Sequence, residues 1–189
     1  LDIDLSNKIQ EIDDLILNIN SAPVSDLFRL PSFCAGCPHN TSTKVPDDSF
    51  AFGGIGCHGM ATFMPERKTY NLGQMGGEGV MWTGIAPFTE TEHIFQNLGD
   101  GTYYHSGILA IRAAIASKAN ITFKILVNDA IAMTGGQDIS GKVQVDSLSW
   151  QVHSEGAKKV VVMTDYPEKY PPSSSFAPGV EILHRDELD

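Results

Sequence analysis

Four apolar, largely β-branched runs, at 93–98, 121–127, 159–164 and 180–184, dominate the second half of the chain, with helical periodicity between them at about 104–118 and 146–156. Continuous apolar strands alternating with helices belong to parallel sheets buried on both faces, because each crossover between parallel strands must pass over a face. The pattern predicts an α/β fold, a mostly parallel sheet covered by helices on both faces. Ligands of such sheets sit beyond the carboxyl ends of the strands. Ahead of this region, Ile9, Ile12, Leu15, Ile16 and Ile19 recur at spacings of three and four behind a Ser6 cap, the pattern of an amphipathic packing or linking helix. Residues 21–49 are rich in Pro, Ser, Asn and Asp and read as irregular, and 50–55 as a short strand breaking into glycines. The expected organisation is a helix and linker over 1–28 and one domain over 29–189.

Composition excludes several functions. The net charge is −10 and no basic run exceeds two residues, which argues against a nucleic-acid surface or an anionic membrane surface. The apolar runs are too short to span a bilayer and the N-terminus lacks the order of a signal peptide, so a cytoplasmic protein is expected. Three cysteines at uneven spacing make no self-contained disulfide framework, whereas Cys34-Ala-Gly-Cys37 is a chelating pair. The abrupt ends, without a starting Met, lead us to expect a piece of a longer protein.

Gly99-Asp100-Gly101 follows one apolar run directly and opens a helix. Free N–H groups and the positive end of the helix dipole therefore point into the same space as the Asp100 carboxylate, which suits an anion and a cation bound together, such as a diphosphate with Mg²⁺. Read alone, the same residues also suit a turn in which Asp100 caps the helix. Twenty-six residues, Thr102 to Val127, separate Gly101 from Asn128. One helix and one strand fill that length and return Asn128 to the same edge, where it meets Asp100 across one metal ion.

This spacing resembles the thiamine diphosphate signature, in which Asp, Asn and a backbone carbonyl two residues on hold Mg²⁺; by that resemblance the carbonyl is that of Ala130. The stretches RLPSFCAGCPHNTSTKVP, GGIGCHGMA, QMGGEGVMWTGIAPFT, HIFQNLGDGTYYHSGILAIRAA and NITFKILVNDAIAMTGGQ are together similar to the 2-oxoacid:ferredoxin oxidoreductases, most of all to the indolepyruvate branch in its long fused form, from about Arg29 to Asp189. The resemblance implies a three-layer thiamine diphosphate-binding domain within a larger enzyme that oxidatively decarboxylates aryl 2-oxo acids to arylacetyl-CoA and reduces ferredoxin. The cofactor performs the hard chemistry. The family's ylide-generating glutamate lies on another domain, so this chain alone is expected to be inactive. Implied partners are the remaining domains, ferredoxin and coenzyme A, and a domain that shares its cofactor is expected to form a homo-oligomer.

By the same resemblance Gly56, Cys57 and His58 contact the cofactor, as do Gly99, Asp100, Gly101 and Thr102. Asn128, Ala130, Ile131, Ala132, Met133 and Thr134 line the diphosphate and thiazolium, while Asp129 either joins them or faces solvent. Cys34, Cys37 and Cys57 align with three of four ligands of a [4Fe–4S] cluster, and no fourth Cys follows. A ligand from outside the chain, a zinc centre that adds His39 or His58, and reduced thiols all remain open. The string Gly54-Ile-Gly56-Cys57-His58-Gly59 also fits a dinucleotide fingerprint, although no second strand ending in an acid follows. His105, in the first turn after the diphosphate loop, and Glu78, in GGEG, are catalytic candidates beside the readings of a solvated histidine and a loop charge. A metal-binding electron-transfer module and a Mg²⁺-dependent nucleotide module are the rival functions.

Overall fold

The computed structural model describes residues 5–21, 30–128, 130–172 and 174–188. The linker expected within 22–28 and Asp129 lie outside the described residues. The chain divides into two compact units, Leu1–Leu30 and Pro31–Asp189. The first carries helix α1, Ser6–Ser21, which includes Ser6 in its first turn, is braced by a Lys8–Glu11 ion pair at 2.7 Å and extends past the periodic residues.

The second unit is built on four parallel strands in the order β2-β1-β3-β4: β1 is Ala51–Gly53, β2 Thr69–Leu72, β3 Ile94–Gly99 and β4 Ile121–Leu126. All connections between parallel neighbours are crossovers, which confirms the α/β class. Side chains alternate between faces, and the alternation assigns the layers. Ile94, Gln96 and Leu98 of β3 share a face with Phe52 and with Ile121, Phe123 and Ile125 of β4. Onto this face pack α3 (Val80–Ile85), α5 (Ile108–Ala116) and α6 (Val145–Glu155). Trp82 of α3 closes a cluster with Phe52 and Ile94, and its indole N–H donates to the Asn120 carbonyl at 3.0 Å. Ile111, Leu148 and Val152 close a second cluster on Leu98 and Tyr103.

The opposite face carries Phe95 and Asn97 and is covered by short turns: the one-turn helix α2, His39–Ser42, and the 3₁₀ turn Cys57–Phe63. Lys124 fastens α2 to this face, donating to the carbonyls of Ser42 and Lys44 while its ammonium lies 4.9 Å from the centre of the Phe95 ring.

The apolar runs at 159–164 and 180–184 form β7, Val161–Thr164, and β8, Glu181–His184. They pair in parallel with each other in a separate two-stranded sheet. After β4 the chain makes a small hairpin, β5 (Ala130–Ile131) with β6 (Gln137–Asp138), before α6. The strand region that follows α6 therefore reaches the core through Val160, packed against the Leu98 cluster, and not through the ladder of β4. Among the described residues no helix is long and apolar enough to cross a membrane.

Candidate functional site

Strands β3 and β4 run in register from Ile94↔Ile121 to Gly99↔Leu126, so their carboxyl ends finish side by side. Asp100 is the first residue of the helical turn α4, Asp100–Thr102, and Asn128 stands two residues beyond β4. The Asp100 carboxylate is 3% exposed. Its Oδ2 accepts the Asn128 backbone N–H at 2.8 Å and its Oδ1 accepts that of Gly101 at 2.8 Å. The two strand tips are thus joined through the acid. Asn128 turns its own Oδ1 back to accept the Ala130 N–H at 3.1 Å. A methyl group at Gly101 would sit 3.5 Å from Ile131 Cγ1, so the β5 hairpin lies against the Asp100 turn.

The structure therefore brings Gly99, Asp100, Gly101, Asn128, Ala130 and Ile131 together, with Thr102 buried just below. Ala132, Met133 and Thr134 form an exposed 3₁₀ turn at the hairpin tip. The Thr134 hydroxyl donates to Gln137 Oε1 at 2.6 Å while Gln137 Nε2 donates to the Thr134 carbonyl at 2.7 Å. His105 lies one turn past Asp100 in a π-helical segment, Tyr103–Gly107, exposed and 3.0 Å from Ser106 Oγ through Nδ1.

A second polar group adjoins the first across Gly99. A methyl there would lie 3.2 Å from His58 Cε1. At Gly54 it would lie 2.5 Å from the Asn97 carbonyl oxygen, 2.9 Å from His58 Nε2 and 3.1 Å from Glu78 Cγ, so this position has room only for hydrogen. Gly56, at φ +151°, holds the turn that delivers Cys57 and His58. His58, Glu78 and Asn97 are buried, yet His58 Nε2, Glu78 Oε1 and both polar atoms of the Asn97 side chain lack a hydrogen-bond partner. Each buried, unpaired polar group costs about 1–3 kcal/mol, and they collect at one end of one sheet. Asn97 and Gln96 were not singled out from the sequence, since amides inside an apolar strand run do not say what will cover them. Gln96 Nε2 donates to the carbonyls of Phe52, Gly53 and Asn97, bridging the place where β1 turns away from β3.

Burial lowers His58 to about 4, and the neighbouring His39 adds to the effect. His39 is itself lowered by burial, opposed by the Asp100 carboxylate. The two rings meet edge to face at 5.9 Å, and both stay neutral at pH 7. Burial pushes the Cys57 thiol up, and the Cys37 and Cys34 thiols push it further. The three cysteines are free thiols that sense one another. Among the described residues, however, no three His, Cys, Asp or Glu side chains converge into a metal-holding set.

The Asp100 edge fits a magnesium diphosphate. It offers a buried carboxylate at Asp100 and an amide oxygen at Asn128, hard oxygen donors of the kind such an ion takes.

Residues 54–166, more than half the chain, match the family model described as thiamine pyrophosphate enzyme, C-terminal TPP binding domain. The chain is homologous to indolepyruvate oxidoreductase subunit IorA. It is 31% identical to the subunit of Thermococcus kodakarensis over 134 residues, 61% of this chain and 21% of the relative. It is 28% identical to that of Methanothermobacter thermautotrophicus over 144 residues, 70% of this chain and 23% of the relative. To that of Pyrococcus horikoshii it is 25% identical over 160 residues, 75% and 24%. The chain thus spans between a fifth and a quarter of the length of these curated relatives. With parallel strands that deliver an acid and an amide to one edge and a match across both, the chain belongs to the thiamine pyrophosphate enzymes as a C-terminal TPP-binding domain.

Proposed function

We propose that Asp100, Asn128 and the carbonyl of Ala130 hold a Mg²⁺ ion that fastens the diphosphate of thiamine diphosphate to the carboxyl edge of β3 and β4. One observation carries this: the buried Asp100 carboxylate is bonded to the backbone of Asn128 across two adjacent strand tips. Gly99 and Thr102 supply backbone N–H groups at a helix start, where negative charge is stabilised, while the Gly101 N–H holds the Asp100 carboxylate in place. The hairpin residues Ile131, Ala132, Met133 and Thr134 form the outer wall, and His105 faces the ligand from the first turn. Gly56, Cys57 and His58 form the inner wall.

On this reading residues 29–189 are the cofactor domain of an oxidoreductase acting on aryl 2-oxo acids, with ferredoxin and coenzyme A as partners of the intact enzyme. The support is the similarity to subunits named for indolepyruvate oxidation. When bound, thiamine diphosphate supplies the carbon nucleophile and electron sink for decarboxylation. This chain's residues anchor the diphosphate, orient it through the Asp100–Asn128 bridge and keep water from the inner wall. Cys34, Cys37 and Cys57 serve electron transfer in the intact enzyme if they draw together around iron with a ligand from elsewhere; iron analysis and absorbance of anaerobically prepared protein test this separately.

Calorimetric titration with thiamine diphosphate, with and without Mg²⁺, tests the central reading. Binding is expected only with the metal. Asp100→Ala should remove it, beyond the roughly 100-fold loss that outer-shell changes bring, and should also lower the melting temperature, by the equivalent of about 1–3 kcal/mol, because it leaves the N–H groups of Asn128 and Gly101 without their acceptor. Unchanged affinity in this variant overturns the assignment.

A further inference from the structure

The apolar residues of α1 and its leading Leu5 follow a fixed alternation: Leu5, Ile9, Ile12, Ile16 and Ile19 succeed one another at steps of four, three, four and three. The Leu5 carbonyl accepts the Ile9 N–H at 2.9 Å, so the row begins where the helix begins. A repeat of seven keeps every member on one seam, with Ile9 and Ile16 at the a positions of a heptad and Leu5, Ile12 and Ile19 at the d positions. Leu5, Ile9, Ile12 and Ile16 are each between 50% and 56% exposed, and Leu15 beside them is 61% exposed. A contiguous apolar stripe facing water marks a contact surface. The helix belongs to the first compact unit, Leu1–Leu30, and lies outside the residues matched to the cofactor family, so the cofactor site does not account for it.

The charges beside the seam decide what fits it. In this register Lys8 is a g residue and Asp13 the e residue of the next heptad, while Gln10, Glu11 and Asp14 lie at b, c and f, away from the seam. Two parallel copies of the helix therefore set Lys8 of each against Asp13 of the other, opposite charges in both pairs and no like charges facing each other. An antiparallel pair faces g with g and e with e, and both attractions are lost. Lys8 already meets Glu11 of its own helix at 2.7 Å, and side chains this exposed exchange partners at little cost. An anionic lipid surface suits α1 poorly, because Glu11, Asp13 and Asp14 stand against a single cation. We propose that α1 is a self-association element: a second copy of this chain joins the first through it, seam to seam, in a parallel coiled coil whose direction and register are set by Lys8 and Asp13. Isoleucine at both a and d positions lets a third copy join. The 16 residues of α1 span about 24 Å, a seam smaller than a standard interface, so the association is weak and depends on concentration.

The test is sedimentation equilibrium of the full chain from micromolar to near-millimolar concentration. The parent should pass from the mass of one chain to that of two or three as concentration rises. Replacing Ile9→Asp and Ile12→Asp together puts carboxylates into the seam of every strand and should weaken association by roughly 100-fold or more, leaving a monomer. Lys8→Asp and Asp13→Lys, made separately, each set like charges across the seam and should weaken it by roughly threefold or more, whereas an equimolar mixture of these two variants restores opposite charges in both pairs and should associate as tightly as the parent. A parent that stays monomeric at every concentration overturns the inference. Undiminished association of the double Asp variant places the contact elsewhere on the chain and overturns it as well. A mixture no tighter than its components means that α1 seats on something other than a copy of itself, with the same result. Should the double Asp variant lack a cooperative urea melt, the charge reversals, which leave the seam apolar, are read in its place.

Discussion

At Gly54 the three nearest atoms to a would-be side chain belong to Asn97, His58 and Glu78, and the closest is a backbone carbonyl that has no rotamer to yield. Gly54→Ala should therefore destabilise the domain by about 1–3 kcal/mol, the usual effect of overpacking, read as a lower urea midpoint. Asn97 makes the opposite case. It is fully buried and neither polar atom of its side chain is paired, so replacement by an apolar side chain of similar size removes a desolvation cost without removing a bond. Asn97→Leu should leave the unfolding free energy from urea titration unchanged or raise it by up to about 2 kcal/mol; a loss of that size would show that Asn97 has a partner in solution. At this scale the sequence was partly legible. Asp100 and Asn128 announced themselves by type and spacing, and Glu78 by its glycines. Asn97 did not, because an amide in a strand says nothing of what will cover it.

The helix after β3 governs the site at the scale of elements. It begins at Asp100 as α4, widens into π geometry over Tyr103–Gly107 and continues as α5. π segments in helices are concentrated at functional sites, and this one turns two tyrosines inward. Tyr103 donates to Gln151 Oε1 at 2.9 Å and Tyr104 to the Val143 carbonyl at 2.8 Å, tying α6 and the residue stretch before it to the diphosphate turn. Burial pushes the Tyr103 phenol well above its usual range, so it remains a donor. Leu98, fully buried under this helix, should cost about 2–5 kcal/mol on replacement by Ala. That loss, measured by thermal or urea unfolding, should exceed that of Leu109→Ala on the exposed side of α5. The periodicity predicts a helix from Tyr104, whereas the turn at Asp100 is already helical. β2 and α3 were not legible: β2 is four residues with one buried side chain, and α3 is six residues interrupted by Gly84, each too short for a period to emerge.

For the molecule as a whole, acidification should loosen the fold through its buried histidines. His58 binds its proton near pH 4 when folded, against an ordinary 6.5. The unfolded chain therefore takes up protons first, and stability is lost as pH falls from 6.5 toward 4, a change on the order of 3 kcal/mol for the metal-free chain. His39, lowered in the same direction, adds to it. Urea midpoints at pH 7.5 and 5 should differ accordingly, and His58→Asn should flatten the difference. The alternation of apolar runs with helices predicted a parallel α/β sheet, and the four-stranded β2-β1-β3-β4 core bears it out. The extension of that sheet through 159–164 and 180–184 was not borne out, since β7 and β8 pair with each other. What the chain's residues determined by themselves was local and periodic: which of the longer segments are strands or helices, and which acid and amide stand at strand ends. Only the tertiary structure decided which loops meet, placing α2, the Cys57 turn and the Glu78 loop around one edge, because burial and unpaired polar atoms arise from contacts between segments far apart in sequence.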